Sequence, residues 1–420
     1  VLRNILRSRR ARSQLARRLP SVETPAPGSV QVVVYFADTR VNLYQIRQWY
    51  APLAELAKKR PVAIITRSPG TMLTLLDESP VPVVYLRKVV ELEDFVQSQD
   101  IKIVLYVNQN AKNFQMFRYG RMWHVFINHG ESDKMYMTTN QFKAYDYSFI
   151  AGEAARERLA RNLWDFDLDR RAIQIGRPQA DHFAGELPYP DDDRTVVLYA
   201  PTWEGDRESA AYGSIATHGV PLVRSLLATG AHRVIYRPHP RSGVIDPAYR
   251  AANEAIISAI AAANASDPAA HHVFDDGPQL GWQLAGADVA ITDISAMVYD
   301  RLATGKPLLV ARPTSPGADV DESGYLGDCE WLTAEDAGDI VGIVDRVQHS
   351  AEARQKLEFW VQRHFGDTTP GAATARFHAA VEQLVGEWEH HAELHSADVT
   401  RRGTDSFDDD DDEDSIGDND

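Results

Sequence analysis

Short apolar runs alternate along this chain with helical stretches, and after a charged, proline-rich break the same alternation begins again. Residues 31–36, 61–66, 81–86, 101–107, 123–128, 147–151 and 172–176 read as buried strands, with helical spacing over 43–59 and 91–99. Residues 186–194 form the break. Beyond it, 195–200, 233–237, 271–274, 288–292 and 307–311 read as strands, with an alanine-rich helix over 250–265 and a last helix over 369–388. Strands separated by helices at this spacing pair in parallel through crossover connections. The expected fold class is therefore α/β, with two successive doubly wound domains. The expected boundaries are a basic arm and Pro-rich linker over 1–29, a first domain over 30–185, a second over 190–365, a closing helix over 366–390 and an acidic disordered tail over 391–420.

Charge is distributed unevenly. The net charge of −16 combines seven arginines and no acid in residues 1–20 with ten acids and no base in residues 405–420, leaving about −13 for the body. An acidic body lacks the basic face that displaces counterions from nucleic acid, so no nucleic-acid partner is expected. The basic opening admits two readings. One is a cationic amphipathic helix with Leu2, Ile5, Leu6 and Leu15 loosely on one side, lying on an anionic membrane surface; the other is a disordered basic arm. No run reaches the ~18–20 apolar residues of a membrane span. The single cysteine, Cys329, rules out an intramolecular disulfide and a thiolate metal cluster. A reducing cytoplasm fits this composition.

Four polar motifs stand where an apolar run ends: Asn128-His129-Gly130-Glu131, Ala200-Pro201-Thr202-Trp203-Glu204-Gly205, Arg237-Pro238-His239-Pro240 and Thr292-Asp293-Ile294-Ser295. Open α/β sheets bind ligands beyond the carboxyl ends of their strands, so the four suggest one site built from several loops. Their histidines, arginine and hydroxyls suit a phosphorylated ligand. Neither a Gly-x-Gly-x-x-Gly loop nor a Walker A loop occurs, which argues against nicotinamide and P-loop chemistry.

Each motif also has a structural reading. His129, beside a permissive Gly130, suits a general base because imidazole titrates near neutrality, or it shapes a turn through a nearby carbonyl. Arg237 and His239 alternate on one side of a segment stiffened by two prolines, as a diphosphate clamp or a structural salt link. Thr292, Asp293 and Ser295 open a helical run over 296–304, as an anion site or as ordinary caps. Thr202 is a weaker phosphate contact, and Trp203 is core or platform. No carboxylate cage for a metal is visible, although a diphosphate can itself recruit Mg2+.

Taken in order, Asn128-His129-Gly130, the run Ile175-Gly176-Arg177-Pro178-Gln179-Ala180-Asp181, Tyr199-Ala200-Pro201-Thr202-Trp203, Arg237-Pro238-His239-Pro240, residues 288–300 and Gly305-Lys306-Pro307 resemble the CDP-glycerol glycerophosphotransferase family of teichoic-acid primases and polymerases. The resemblance spans about residues 104–385 and is strongest over 195–313. It implies a GT-B architecture, two Rossmann-like domains facing a cleft, with the CDP-glycerol donor mainly on the second. It implies His129 as the base toward an acceptor hydroxyl. His239 would be a second catalytic residue, with Arg237, His239, Thr292, Ser295 and Thr202 holding the donor diphosphate; Gly130, Asp293 and Asp300 are further candidates. A lipid-linked or polymer acceptor and a peripheral position on the inner face of a bacterial membrane follow from the same likeness. Two departures weaken donor identity: Ile294 and Ala296 replace an aromatic and a serine, and Glu204 stands where a basic residue is usual. Competing readings are a nucleotide-sugar glycosyltransferase, a CDP-ribitol enzyme and a silent nucleotide-binding protein of the same fold.

Overall fold

The computed structural model describes residues 2–131, 139–277 and 280–395; within residues 2–8 it describes the backbone alone. Two sheets make up its frame. The first has seven strands: β1 Val32–Phe36, β2 Val62–Thr66, β3 Val83–Tyr85, β4 Ile103–Tyr106, β5 Trp123–Phe126, β6 Tyr147–Ile150 and β7 Ala172–Gln174. Their order is β3-β2-β1-β4-β5-β6-β7. The second has six: β8 Thr195–Ala200, β9 His232–Tyr236, β10 Val273–Phe274, β11 Val289–Thr292, β12 Leu308–Ala311 and β13 Glu330–Leu332, in the order β10-β9-β8-β11-β12-β13. Every strand pair is parallel. In both sheets the order reverses beside the first strand, the topology that opens a crevice at the strands' carboxyl ends.

Strands covered on both faces need continuous apolar sequence, and β1 is buried at all five positions. Its alternate residues accordingly serve different cores. Val32, Val34 and Phe36 join one apolar cluster and Val33 and Tyr35 another; the second sheet is likewise sandwiched between two.

Several expectations meet a different structure. The helix over 43–59 divides into Leu43–Arg47 and Tyr50–Ala57, because Pro52 has no N–H to offer the preceding turn and Trp49 turns into the core. Helix Pro69–Glu78 went unrecognised although Ser68 caps it through the Thr71 amide and Pro69 opens it. The edge strand β13 is only three residues long and has no clear run. The opening is a helix, Leu2–Arg18, rather than a disordered arm; its Leu15 is buried in the first domain's core and Arg18 pairs with Asp77 at 2.7 Å. The final helix, Ala372–Leu394, runs past residue 390, so the beginning of the expected tail is helical. The acid run over 408–414 lies outside the described residues. That final helix leaves the second sheet and packs on the first, where Phe377, Val381 and Leu384 share a core with Val34 and Leu105. Among the described residues no helix is long and apolar enough to cross a membrane.

Candidate active site

His129 lies just past the carboxyl end of β5. The turn that presents it depends on Asn128, which adopts φ 54 and bonds the Gly130 carbonyl through its side-chain amide. A tolerance for this left-handed region is an asparagine property. The His129 Nδ1 atom is 2.9 Å from the Val107 carbonyl oxygen. A carbonyl can only accept, so Nδ1 carries the proton and Nε2 keeps a lone pair. Burial lowers the pKa of this ring, the Val107 bond opposes that, and the Arg177 charge adds to the lowering. The imidazole is therefore neutral near pH 7, in the tautomer a general base requires.

His239 is the reverse case. The loop after β9 carries Arg237 and His239, and His239 Nδ1 receives the Arg241 backbone N–H at 3.1 Å. An N–H can only donate, so Nδ1 is unprotonated and Nε2 bears the hydrogen. Partial desolvation and the neighbouring Arg241 charge lower its pKa, against the pull of Glu204. The side chain is exposed, so solvent screens that shift; its tautomer carries the argument.

Arg237 stands beside it but is already engaged, in an ion pair with Asp275 and a 3.0 Å bond to the Gly277 carbonyl. Those contacts use part of a five-donor guanidinium and fix its plane. Trp203 packs under Arg241, whose guanidinium carbon is 3.7 Å from the ring centroid. Glu204 turns away from the cleft: its buried carboxylate accepts the amides of Gly243, Ile245 and Asp246 at 2.8 to 3.0 Å. An acid where a base was looked for thus shapes the loop behind His239.

The loop after β11 behaves differently from its reading as an anion site. Thr292 is fully buried, and its hydroxyl meets no partner among the described residues, so it sits inside the wall rather than on it. Asp293 is equally buried and ties two loops together, accepting the Thr202 amide at 2.7 Å and the Ser214 amide at 3.0 Å. Ser295 caps the helix Ala296–Leu302: its oxygen accepts the Met297 amide at 3.3 Å and its hydroxyl donates to the Asp293 carbonyl at 3.2 Å. The Thr202 hydroxyl makes no bond among the described residues. Among the described residues nothing lies within 4 Å of a Cβ placed on Gly130.

Asp300, on the same short helix, reaches across to the first domain, where it forms a buried ion pair with Arg177. Burial raises the Asp300 pKa and Arg177 opposes the rise. The turn before Arg177 depends on Gly176, which adopts φ 73 with the Arg376 side chain against the space a Cβ would take. The Arg177 charge also acts on His129, and Arg177 in turn pairs with Asp300 on the helix capped by Ser295.

A polar cluster beside His129 was not singled out from sequence. Asp38, Gln45, Asn108, Gln109, Asn110 and His129 line a cavity of about 240 Å³. Asp38 stands two residues past β1, and 108–110 lie just beyond β4, so the strand-end rule that found the other motifs applies to them as well. Among the described residues no group of three metal-binding side chains converges.

Residues 124–315 match the family model for CDP-Glycerol:Poly(glycerophosphate) glycerophosphotransferase. No curated protein sequence matches the chain. Solved structures of like fold include the wall teichoic acid polymerase TagF, at 12% identity and TM-score 0.53 over 92% of this chain and 99% of that one. A UDP-N-acetylglucosamine 2-epimerase gives 14% identity and TM-score 0.55 over 86% and 97%. A glycosyltransferase from Rickettsia africae gives 11% and 0.50 over 85% and 99%. At such identities the likeness is one of fold, the GT-B arrangement of two parallel sheets, and over residues 124–315 the sequence is similar to the CDP-glycerol:poly(glycerophosphate) glycerophosphotransferase family.

Proposed function

We propose that this protein transfers glycerol phosphate from CDP-glycerol to a hydroxyl of a lipid-linked or polymer acceptor, releasing CMP. The single observation that carries this reading is the pair of opposite histidine tautomers, one ring presenting a lone pair and the other an N–H that meet no partner among the described residues. The acceptor hydroxyl donates to His129 Nε2, and its oxygen attacks the glycerol-bearing phosphorus. Nε2 takes the proton as the new P–O bond forms and the bond to the bridging oxygen breaks in line. CMP departs with that electron pair. His239 Nε2–H, the remaining Arg237 N–H groups and the Thr202 hydroxyl donate to the diphosphate oxygens as charge builds there. Ser295 and Asp293 hold the loops that carry these donors, and the diphosphate can itself recruit Mg2+.

A peripheral position on an anionic membrane agrees with the exposed Arg9, Arg10 and Arg17 of the first helix. Deleting residues 2–14, which spares Leu15, should release the protein from anionic liposomes in a sedimentation assay.

The decisive experiment follows CMP release from CDP-glycerol, with CDP-ribitol and nucleotide sugars in parallel. His129→Asn should lower kcat by about 10²- to 10⁴-fold, the usual scale of general-base catalysis, with donor binding retained. His239→Ala should also raise the donor KM. Turnover of a nucleotide sugar in place of CDP-glycerol would replace this reading by a glycosyltransferase, and tight binding without turnover by a silent nucleotide-binding protein.

A further inference from the structure

We infer that the Asp38–Gln45–Asn108–Asn110 cluster is an acceptor subsite that takes an uncharged group bearing neighbouring hydroxyls and turns away a phosphate-ended one. This rests on the reading of His129 as the base. All four residues precede the segment that matches the family model, so that match assigns them nothing.

Their arrangement is fixed. The Asp38 carboxylate accepts the Thr39 amide at 2.7 Å, the Asn108 side-chain amide at 3.2 Å and the Asn110 side-chain amide at 2.9 Å. Asn108 also donates to Gln45 Oε1 at 2.7 Å. The backbone around them is pinned in turn, with Thr71 bonding the Asp38 carbonyl at 2.9 Å and Asn113 the Asn108 carbonyl at 2.7 Å. Asp38 and Asn108 are each 8% exposed. Burying so many polar groups is costly unless they serve one another or a ligand, and this network is oriented before anything binds.

Chemistry then selects the occupant. Among the described residues the cavity lining joins a carboxylate, carboxamides, the Phe126 ring and one neutral imidazole, and includes no lysine or arginine. Hydroxyls both donate and accept, so adjacent ones can satisfy a carboxylate and a carboxamide together. A phosphomonoester only accepts when ionised, and it would face the Asp38 charge with no cation in the described lining to offset it. The acceptor terminus beside His129 is therefore a neutral polyol or sugar.

The test is saturation-transfer NMR on the full chain with glycerol, ribitol and, as the charged counterpart, glycerol 3-phosphate; CDP-glycerol affinity is measured by calorimetry on the same samples. Wild type should show transfer to the two polyols and at least fivefold less to glycerol 3-phosphate. Gln45→Ala and the isosteric Asp38→Asn should each cut polyol transfer severalfold. Gln109→Lys, which brings a cation to the wall, should reverse the preference. CDP-glycerol affinity should stay within twofold in all three, which also reports that they are folded. Absence of polyol transfer in wild type, equal transfer in the variants, or a preference for glycerol 3-phosphate would overturn the subsite. Failure of CDP-glycerol to bind while polyols still do would instead remove the donor reading and leave the subsite standing.

Discussion

Asp293 carries a charge problem that its position creates. It is fully buried; one carboxylate oxygen accepts two backbone amides and the other meets no partner among the described residues. Burial pushes its pKa up to about 7. An unfolded aspartate releases its proton near 3.9, so between those values the folded chain holds one proton more. The stability this contributes is present below the unfolded value and lost as pH rises to about 7. Wild type should therefore lose thermal stability between pH 5 and 7.5 relative to Asp293→Asn, which has no proton to give up; parallel melting curves would refute the assignment. His129 predicts the opposite limb in kinetics. Its lowered pKa puts the acid fall of kcat/KM below pH 6.5, and a midpoint above 7 would exclude it as the neutral base. The histidines, Arg237 and Thr202 were legible in sequence because each stands at a strand end. Their tautomers were not, since the Val107 carbonyl and the Arg241 amide become partners only on folding.

At the scale of elements, strand periodicity exposed the frame and helix punctuation exposed less. The central strand runs were legible because those strands are buried on both faces, leaving no ambiguity of period. Helix Pro69–Glu78 carries a clear Ser-Pro start, yet its apolar face, which includes Met72 and Leu75, is too short to stand out in sequence. The first helix shows how a mixed pattern divides its work. Leu15 is committed to the core, so Leu15→Ala should cost about 2 to 5 kcal/mol in denaturant unfolding if the site cannot collapse. Arginines on its outer side remain available, and replacing Arg9, Arg10 and Arg17 by Gln should weaken liposome binding with unfolding unchanged. The Glu204 loop is a second such case. Glu204→Ala strands three amides at once, so the donor KM should rise through displacement of His239; an unaltered KM would mean that the loop is held by other contacts.

Across the whole molecule the two domains are joined by the Arg177–Asp300 pair and by helix Ala351–Phe365 lying against Glu153–Asn162, where Arg363 pairs with Glu157. Removing one partner of a buried pair leaves an uncompensated charge, so Arg177→Met should destabilise by about 3 to 5 kcal/mol. Adding Asp300→Leu should restore much of that loss, and additive losses in the double variant would show that the pair is not coupled. No stretch of sequence could reveal this link, because its partners are 123 residues apart. The helix Ala372–Leu394 has a different bearing, on the order in which the protein is made. The helix that completes the first domain's core follows the second domain in sequence, so a ribosome-bound chain holds its first sheet with part of one apolar face uncovered until the second domain has already emerged. Completion of the first core is then obliged to wait for the second domain, and the nascent first domain is the stage at which a chaperone would find it.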